Sequence, residues 1–577
     1  MKKIKSILTS YYPIILIFLL SLLYTLPQII NHSLIFGSDV SFHFNRLYDN
    51  YMQIKTHNFS IFQSNFGFFQ SGRIVNALYG PGFAWILSII LYILHSWVKF
   101  QIITSFIIYL ISGLLMYQLT QKIKISKPYS TLASLLYMST YWITSWQITE
   151  SYMAWGAMLM PIVLMAGIDI VEFDKCNFST VKLALVVSIM TQVHLLSALF
   201  SIAVLVPFFI IGMIANKNKI LLLKKVVLAA ILTLVLTFNV WGAMIDVFKS
   251  NTLISVFPVK YLATQTTHFS LGQSSIYELG FFMSLFVVFQ LLYCMYHYKT
   301  LSNTDKLFSF LGTIFVILSS NLTPWNFIGK KIVILQSYLQ FPYRFLTLAC
   351  VFLIPIGFKF LSNIHFNYIN RKKFLLTILS IISIVVFIQN ISFINSKAKI
   401  WNTKRIFATQ TPIVKIKHFN KNRYRKAMMS KNLGKGLKMA TKTEPDYLPT
   451  TVRNIYKHQK PYDIYRNEIV KNQKGFKKYV RGSSLIIEWD GYQKKRVPIV
   501  IYKNSKVILN GHSINHSKLC LSKIGVPTIN GKQQVNRLQL SYHSNVVNEQ
   551  SILFVIIFWI FILIKICLGY IKKVKVK

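Results

Sequence analysis

The stretch Gly37-Ser38-Asp39-Val40-Ser41-Phe42-His43-Phe44-Asn45-Arg46 sets a carboxylate, an imidazole and a guanidinium close together in the chain. If it is helical, Asp39 and His43 stand four residues apart on one face, with Arg46 alongside. Such a set can take a proton from a hydroxyl and hold an anionic group. Other acids, bases and amides far apart in the sequence could join it: Glu150, Gln192, His194, Asp246, Glu278, Gln340 and Arg344. Each also has a plainer reading. Asp39 could sit in an ordinary polar loop leaving a membrane helix, Glu150 in a solvated turn, and His194 could be a polar packing residue. Arg344 could reach up to lipid headgroups. Pro342 in Gln340-Phe341-Pro342-Tyr343-Arg344 discourages helix before it, so Arg344 is predicted in the first turn of a helix.

The elements that must position these residues are apolar. Of 577 residues 53% are hydrophobic, and several uncharged runs approach the length of a bilayer crossing. The candidates are 11-30, 81-98, 101-120, 128-146, 153-171, 180-197, 198-215, 222-244, 278-297, 306-320, 344-361, 374-394 and 552-570. Lys2, Lys3 and Lys5 at one end and Lys572, Lys573, Lys575 and Lys577 at the other favour two cytoplasmic termini, hence an even number of crossings. Laying 81-98 in the outer interface leaves twelve. It also puts the loops holding Lys122 to Lys127, Lys175, Lys217 to Lys225, Lys299 to Lys306 and Arg371 to Lys373 inside. The alternative is that 81-98 crosses and the error lies elsewhere, for instance if 180-215 is one long helix.

The expected fold is therefore an all-α polytopic membrane protein. It has a transmembrane domain over 1-394, whose first outer loop spans 31-100. An extracytoplasmic domain follows over 395-551, then a final span and basic tail over 552-577. Within the outer domain, 483-490, 497-503, 506-511, 517-522 and 537-542 read as short strands between Gly, Asn and Pro turns, a small β-rich unit over about 480-545. Residues 400-475 are basic and lack periodicity. In this topology Asp39, Glu150, His194 and Arg344 share the outer side, and a carboxylate held at a membrane boundary is rarely without function.

The formal charge of +48 does not point to nucleic acid, because many of the 64 Lys and Arg flank apolar segments and much of the rest lies near the C-terminus. Anionic lipid or an anionic cell-surface polymer suits that excess better. The five cysteines show no paired spacing, so neither a disulfide framework nor a zinc site is expected. There is no GxxxxGK[ST], no GxGxxG after a strand and no HExxH. Chemistry on the outer face would have to draw on a membrane-carried activated donor.

An Asp just after the first span, an interfacial Leu78-Tyr79-Gly80-Pro81-Gly82 segment, many spans and an outer C-terminal domain resemble the GT-C superfamily of polyprenyl-phosphate-sugar-dependent glycosyltransferases. Asp39-x3-His43-x2-Arg46, the Gln340 to Arg344 run, and Asp446-Tyr447-Leu448-Pro449 ahead of Val497-Pro498-Ile499-Val500-Ile501-Tyr502 are similar to bacterial YfhO-like membrane proteins, and to those labelled 6-pyruvoyl-tetrahydropterin synthase-related. The resemblance implies a GT-C-like fold in the bacterial plasma membrane. It implies a polyprenyl-phosphate-linked sugar as donor and a surface glycopolymer, such as a teichoic acid or polysaccharide, as acceptor. By the same resemblance Asp39 would be the catalytic base or help to position the acceptor; beside it, the shared outer face makes His43 a second expected catalytic residue and Arg46, Glu150, His194, Gln340 and Arg344 expected substrate-binding residues. A His stands where many members carry a second acid, which leaves open whether a divalent metal takes part. Two other readings stay in view: a transporter or flippase for lipid-linked sugars, and a non-catalytic protein of surface-polymer assembly.

Overall fold

The computed structural model describes all residues except 1, 177, 269–279, 365–368, 410, 417, 548 and 576–577, so Glu278 lies outside the described residues. From the N-terminus the helices are α1 (Lys2–Ile30), α2 (Val40–Thr56), α3 (Pro81–Leu94), α4 (Trp97–Lys122), α5 (Lys127–Met138), α6 (Tyr141–Thr149), α7 (Met153–Val171), α8 (Thr180–Val193) and α9 (Leu195–Ala215). There follow α10 (Lys219–Leu236), α11 (Phe238–Ser250), α12 (Phe281–Tyr296), α13 (Asn303–Ser319), α14 (Trp325–Lys331), α15 (Ile334–Tyr338), α16 (Leu346–Ser362) and α17 (Ile369–Ile400).

Six helices are long and apolar enough to cross a bilayer: Tyr11–Ile30, Trp97–Lys122, Met153–Val171, Leu195–Ala215, Pro342–Ser362 and Asn370–Ile400. α10 and α11, bent by 65° at Thr237, would make a seventh. This is a membrane-embedded protein, and the expectation of about twelve crossings is corrected. α3, α8, α12 and Gln550–Lys565 are apolar but only 10–17 residues long. The 128-146 run breaks at Ser139 and Thr140, where Ser139 Oγ meets Tyr24 Oη at 2.6 Å and the Asn390 amide donates to the Ser139 carbonyl. An apolar run in sequence is thus not one helix when buried polar groups interrupt it.

Burial orders the bundle. α7 and Pro342–Ser362 have 89% and 83% of their spans buried and are central, whereas Asn370–Ile400, at 11%, is peripheral. Gly156 lets α7 and α9 touch, since a Cβ there would lie 2.1 Å from Ser197 Oγ.

The C-terminal region adds α18 (Lys421–Met428), α19 (Leu433–Leu437), α20 (Ile455–His458), α21 (Pro461–Tyr465) and α22 (Glu549–Lys575). Its strands are β1 (Val414–Lys415), β2 (Ala440–Thr441), β3 (Lys477–Arg481), β4 (Ser484–Asp490), β5 (Lys494–Arg496), β6 (Ser505–Leu509), β7 (His512–Ser513), β8 (Cys520–Leu521), β9 (Pro527–Asn530) and β10 (Val535–Tyr542). A five-stranded sheet runs β3-β4-β10-β6-β7 and a three-stranded one β5-β9-β8. Leu485, Ile487, Leu538 and Leu540 of the first share a core with Ile529 of the second, as alternating side chains of facing sheets do. Residues 497-503 read as a strand but form no regular ladder. Val497 and Ile501 donate to Pro527 and Gly525, whereas Val500 donates to Ser71 of the first loop. β3 and β9 had no signal in the alternation of the sequence, and 517-522 shrinks to β8.

The first loop is docked on these sheets by a strained turn. Phe68, Phe69 and Gln70 have φ of 50°, 60° and 52°, a left-handed run that costs roughly 1–2 kcal/mol per non-glycine residue. Asn45 Oδ1 accepts from the Phe68 N–H at 2.8 Å, and Asp49 accepts from Phe66 and Gly67 at 2.7 and 3.1 Å. On the far side Lys478 Nζ donates to the carbonyls of Phe69, Gln70 and Pro498 at 2.9, 3.1 and 2.8 Å, using all three ammonium protons.

Candidate active site

The chain is guided into Asp39 at two points. The Gln101 amide brackets Ile35, accepting from its N–H at 2.9 Å and donating to its carbonyl at 3.0 Å. Gly37 then passes so close to α6 that a Cβ would stand 2.0 Å from the Ile148 carbonyl oxygen. The Asp39 N–H donates to Thr149 at 3.0 Å, and α2 begins at the next residue.

α2 is helical, as its spacing suggests, but it is not a surface segment: Ser41, His43, Asn45, Arg46, Asp49, Asn50 and Gln53 are all buried. Burying so many polar groups is tolerated because they are hydrogen-bonded. Arg46, fully buried, donates from Nε to Asn76 Oδ1 at 2.9 Å and from Nη2 to the Tyr79 carbonyl at 2.6 Å. Its guanidinium carbon lies 4.7 and 5.0 Å from the ring centres of Tyr79 and Tyr152. Nη1 lies 3.2 Å from His43 Nδ1. Arginine only donates, so Nδ1 is an acceptor and the neutral imidazole keeps its proton on Nε2. Burial, then the charges of Arg46 and Lys442, hold the His43 pKa well below its ordinary value. His43 is thus a neutral donor, which departs from the expected proton acceptor.

Asp39 is the N-cap of α2, but its side chain makes no capping hydrogen bond. Its Oδ1 lies 3.5 Å from Lys442 Nζ, and its side chain is 41% exposed, against 14% for Lys442. Lys442 also pairs with Glu444. The neighbouring acids outweigh burial and keep the lysine charged. Two residues on, Asp446 is pushed up to about 7, by burial first and then by Glu444. Burial likewise raises Glu444, against the pull of Lys442. Glu444 Oε2 and Asp446 Oδ1 are buried without a hydrogen-bond partner. This charged loop is held from behind by Arg73, whose Nη1 and Nη2 donate to the carbonyls of Glu444 and Asp446 at 2.8 and 2.6 Å. It is tied to α2 by the Lys442 N–H donating to Ser41 Oγ at 3.0 Å.

Tyr79 marks where the groups converge. Its phenol is raised to about 12 by burial, and it feels Arg46, Asp39, Arg344 and Asp446. Arg344 sits in a 3-10 turn, Pro342–Phe345, that leads into α16, as Pro342 suggests. Its Nη1 donates to the Leu339 carbonyl at 2.8 Å, and its guanidinium lies 4.7 Å from the Phe341 ring. Gln340 donates to the Phe257 carbonyl at 2.9 Å. His194 caps α9, with Nδ1 at 2.8 Å from Ser197 Oγ, and burial followed by Arg344 and Arg46 brings it down to about 3. Its geometry is that of the packing residue. Gln192 pairs with Asn239 at 2.7 Å, and Asp246 accepts from Tyr542 at 2.9 Å.

Glu150 is not a solvated turn. It is fully buried at φ 60°, and its Oε1 accepts from Gln101 at 2.8 Å. It ends a chain in which Tyr109 donates to Gln147, Gln147 to Gln28 and Gln28 to Gln101, at 2.8, 2.9 and 2.6 Å. Burial raises its pKa well above the ordinary carboxylate range. The neutral acid predicts that Glu150→Gln shifts stability by less than about 1 kcal/mol, whereas Glu150→Ala, which orphans a Gln101 proton, costs about 2–3 kcal/mol in detergent unfolding.

Sequence reading missed Lys442 and Glu444, gave Asp446 only as part of a motif, and did not single out Arg73 or Tyr79 as site residues. The hydropathy of 400-475 held no signal for that loop. Among the described residues no three of His, Cys, Asp and Glu are grouped to hold a metal ion.

No family model matches the chain, and no curated protein matches it. Among solved structures it is similar to the apo oligosaccharyltransferase of Archaeoglobus fulgidus, at 14% identity and a TM-score of 0.34. The match covers 73% of this chain and 60% of that one.

Proposed function

We propose that this end of the helix bundle transfers a sugar from a polyprenyl-phosphate donor to a hydroxyl of a surface glycopolymer, with inversion at the anomeric carbon. The observation that carries the reading is the meeting of acids and guanidinium groups around Tyr79. Tyr79 feels two carboxylates, Asp39 and Asp446, together with two guanidinium groups, Arg46 and Arg344, and Arg344 opens a helix long and apolar enough to lie in lipid. Asp39 is more open to a substrate than Glu444, and reach comes before pKa for a base. It takes the proton as the acceptor oxygen bonds to the anomeric carbon. The bond from that carbon to the phosphate oxygen breaks, and Arg344 meets the charge left on the phosphate.

The direct test is incubation of purified protein with a panel of polyprenyl-phosphate sugars and a teichoic-acid acceptor. Release of polyprenyl phosphate coupled to labelled polymer is expected. Arg344→Lys should lower donor use by about tenfold or more, since a point charge cannot copy the planar fork. An unchanged KM and kcat for donor would remove Arg344 from this role. The 65° bend between α10 and α11 and the amide chain buried among α1, α4 and α6 favour a second reading, a transporter or flippase for lipid-linked sugars. Movement of such a lipid across proteoliposomes without sugar transfer would establish it instead.

A further inference from the structure

A cleft of 720 Å³ opens beside α20 and α21, lined by Tyr456, Lys457, His458, Lys460, Asp463 and Arg496 among others. Its two acids are already engaged: Asp463 with Arg466 at 3.0 Å, and Glu468 with Arg496 at 2.7 Å. Lys457, His458 and Lys460 are exposed, and none has a side-chain hydrogen bond or ion pair among the described residues. The cleft is therefore a binding volume with uncommitted positive charge.

One wall leads back to the Arg344 turn. Tyr456 and Tyr462 have ring centres 6.2 Å apart, and Phe257 lies 5.4 and 6.2 Å from them. Phe257 is half exposed, and its carbonyl receives the Gln340 side chain of the Arg344 turn. Both tyrosine phenols feel the charges of Asp446 and Glu444. An aromatic wall thus runs from the basic cleft, through Tyr456, to Phe257 beside the Arg344 turn, and the flat faces of rings suit the apolar faces of sugars.

Building on the proposed transfer reaction, we infer that the Lys457–His458–Lys460 cleft and the Tyr456–Tyr462–Phe257 wall form the acceptor track, holding an anionic glycan whose phosphate groups sit on the lysines.

The test uses the full-length protein in detergent and fluorescent poly(glycerol phosphate) as probe, with dextran and inorganic phosphate as competitors. Lys457→Glu with Lys460→Glu should weaken binding about tenfold or more. Lys506→Glu with Lys518→Glu, an equal charge change on exposed residues outside the cleft, should change it less than about twofold. Tyr462→Ala should weaken binding while leaving its salt dependence unaltered. Equal losses in both lysine pairs would reduce the effect to net charge and overturn the inference. Competition by millimolar phosphate alone would reduce the cleft to a simple anion site and overturn it as well. Polymer binding that depends on the cleft while no donor sugar is consumed would leave this site standing and refute the transfer reaction.

Discussion

Asp39→Asn is expected to lower sugar transfer by about 10²–10⁴-fold while the protein folds and inserts as before. The two halves of that result have separate causes. The amide keeps the shape and can still accept from Lys442, but it cannot take up a proton at neutral pH. Structurally little is lost, because the side chain's one ion pair is 3.5 Å long and partly exposed, worth about 0–1 kcal/mol. The backbone bond to Thr149 that positions the residue is untouched. The measurements are initial rates with a polyprenyl-phosphate sugar and thermal unfolding of the same preparation. An active Asn variant would pass the base role to Asp446. In that case the rate of the wild type should climb through pH of about 7, where Asp446 loses its proton, and Asp446→Asn should abolish it.

Arg73→Ala should cost about 3–5 kcal/mol of stability, the largest loss expected for a single change in this region. The guanidinium is fully buried, 4.7 Å from the Phe68 ring and 5.4 Å from that of Tyr465. Its two amino groups serve the carbonyls of Glu444 and Asp446. Truncation leaves both carbonyls without a donor and opens a void between two rings. Arg73→Lys keeps the charge but cannot bond both oxygens in the same geometry, so an intermediate loss of about 2 kcal/mol is expected. Because the same residue fixes the loop carrying Lys442, Glu444 and Asp446, both variants should also lower transfer and expose residues 439–448 to limited proteolysis. A loss below about 1 kcal/mol with an unchanged proteolytic pattern would show that the loop is held by other contacts.

Local signals in the chain were read well where the physics is local. Long apolar runs became helices, Pro342 did mark the entry to α16, and the spacing of His43 and Arg46 did bring them together on α2. The number of crossings was overread, since hydropathy does not say how long the helix in an apolar run will be, and α3, α8, α12 and Gln550–Lys565 stop at 10–17 residues. Buried hydrogen bonds also break a run that looks continuous, as at Ser139.

The amino-acid sequence alone determined that this chain builds apolar helices and carries Asp39, His43 and Arg46 at the start of one that follows the first. Hydropathy, helical spacing and the constraints of proline act within a few residues of their cause. Only the tertiary structure decided what those groups are. It made His43 a neutral donor by placing Arg46 against Nδ1, buried Glu150 at the end of an amide chain, and gave Asp39 its neighbours Lys442 and Glu444. Those partners arrive from about 400 residues away, in a segment without periodicity. Charge state and hydrogen-bond role depend on burial and on which atoms meet, and contacts across the fold set both.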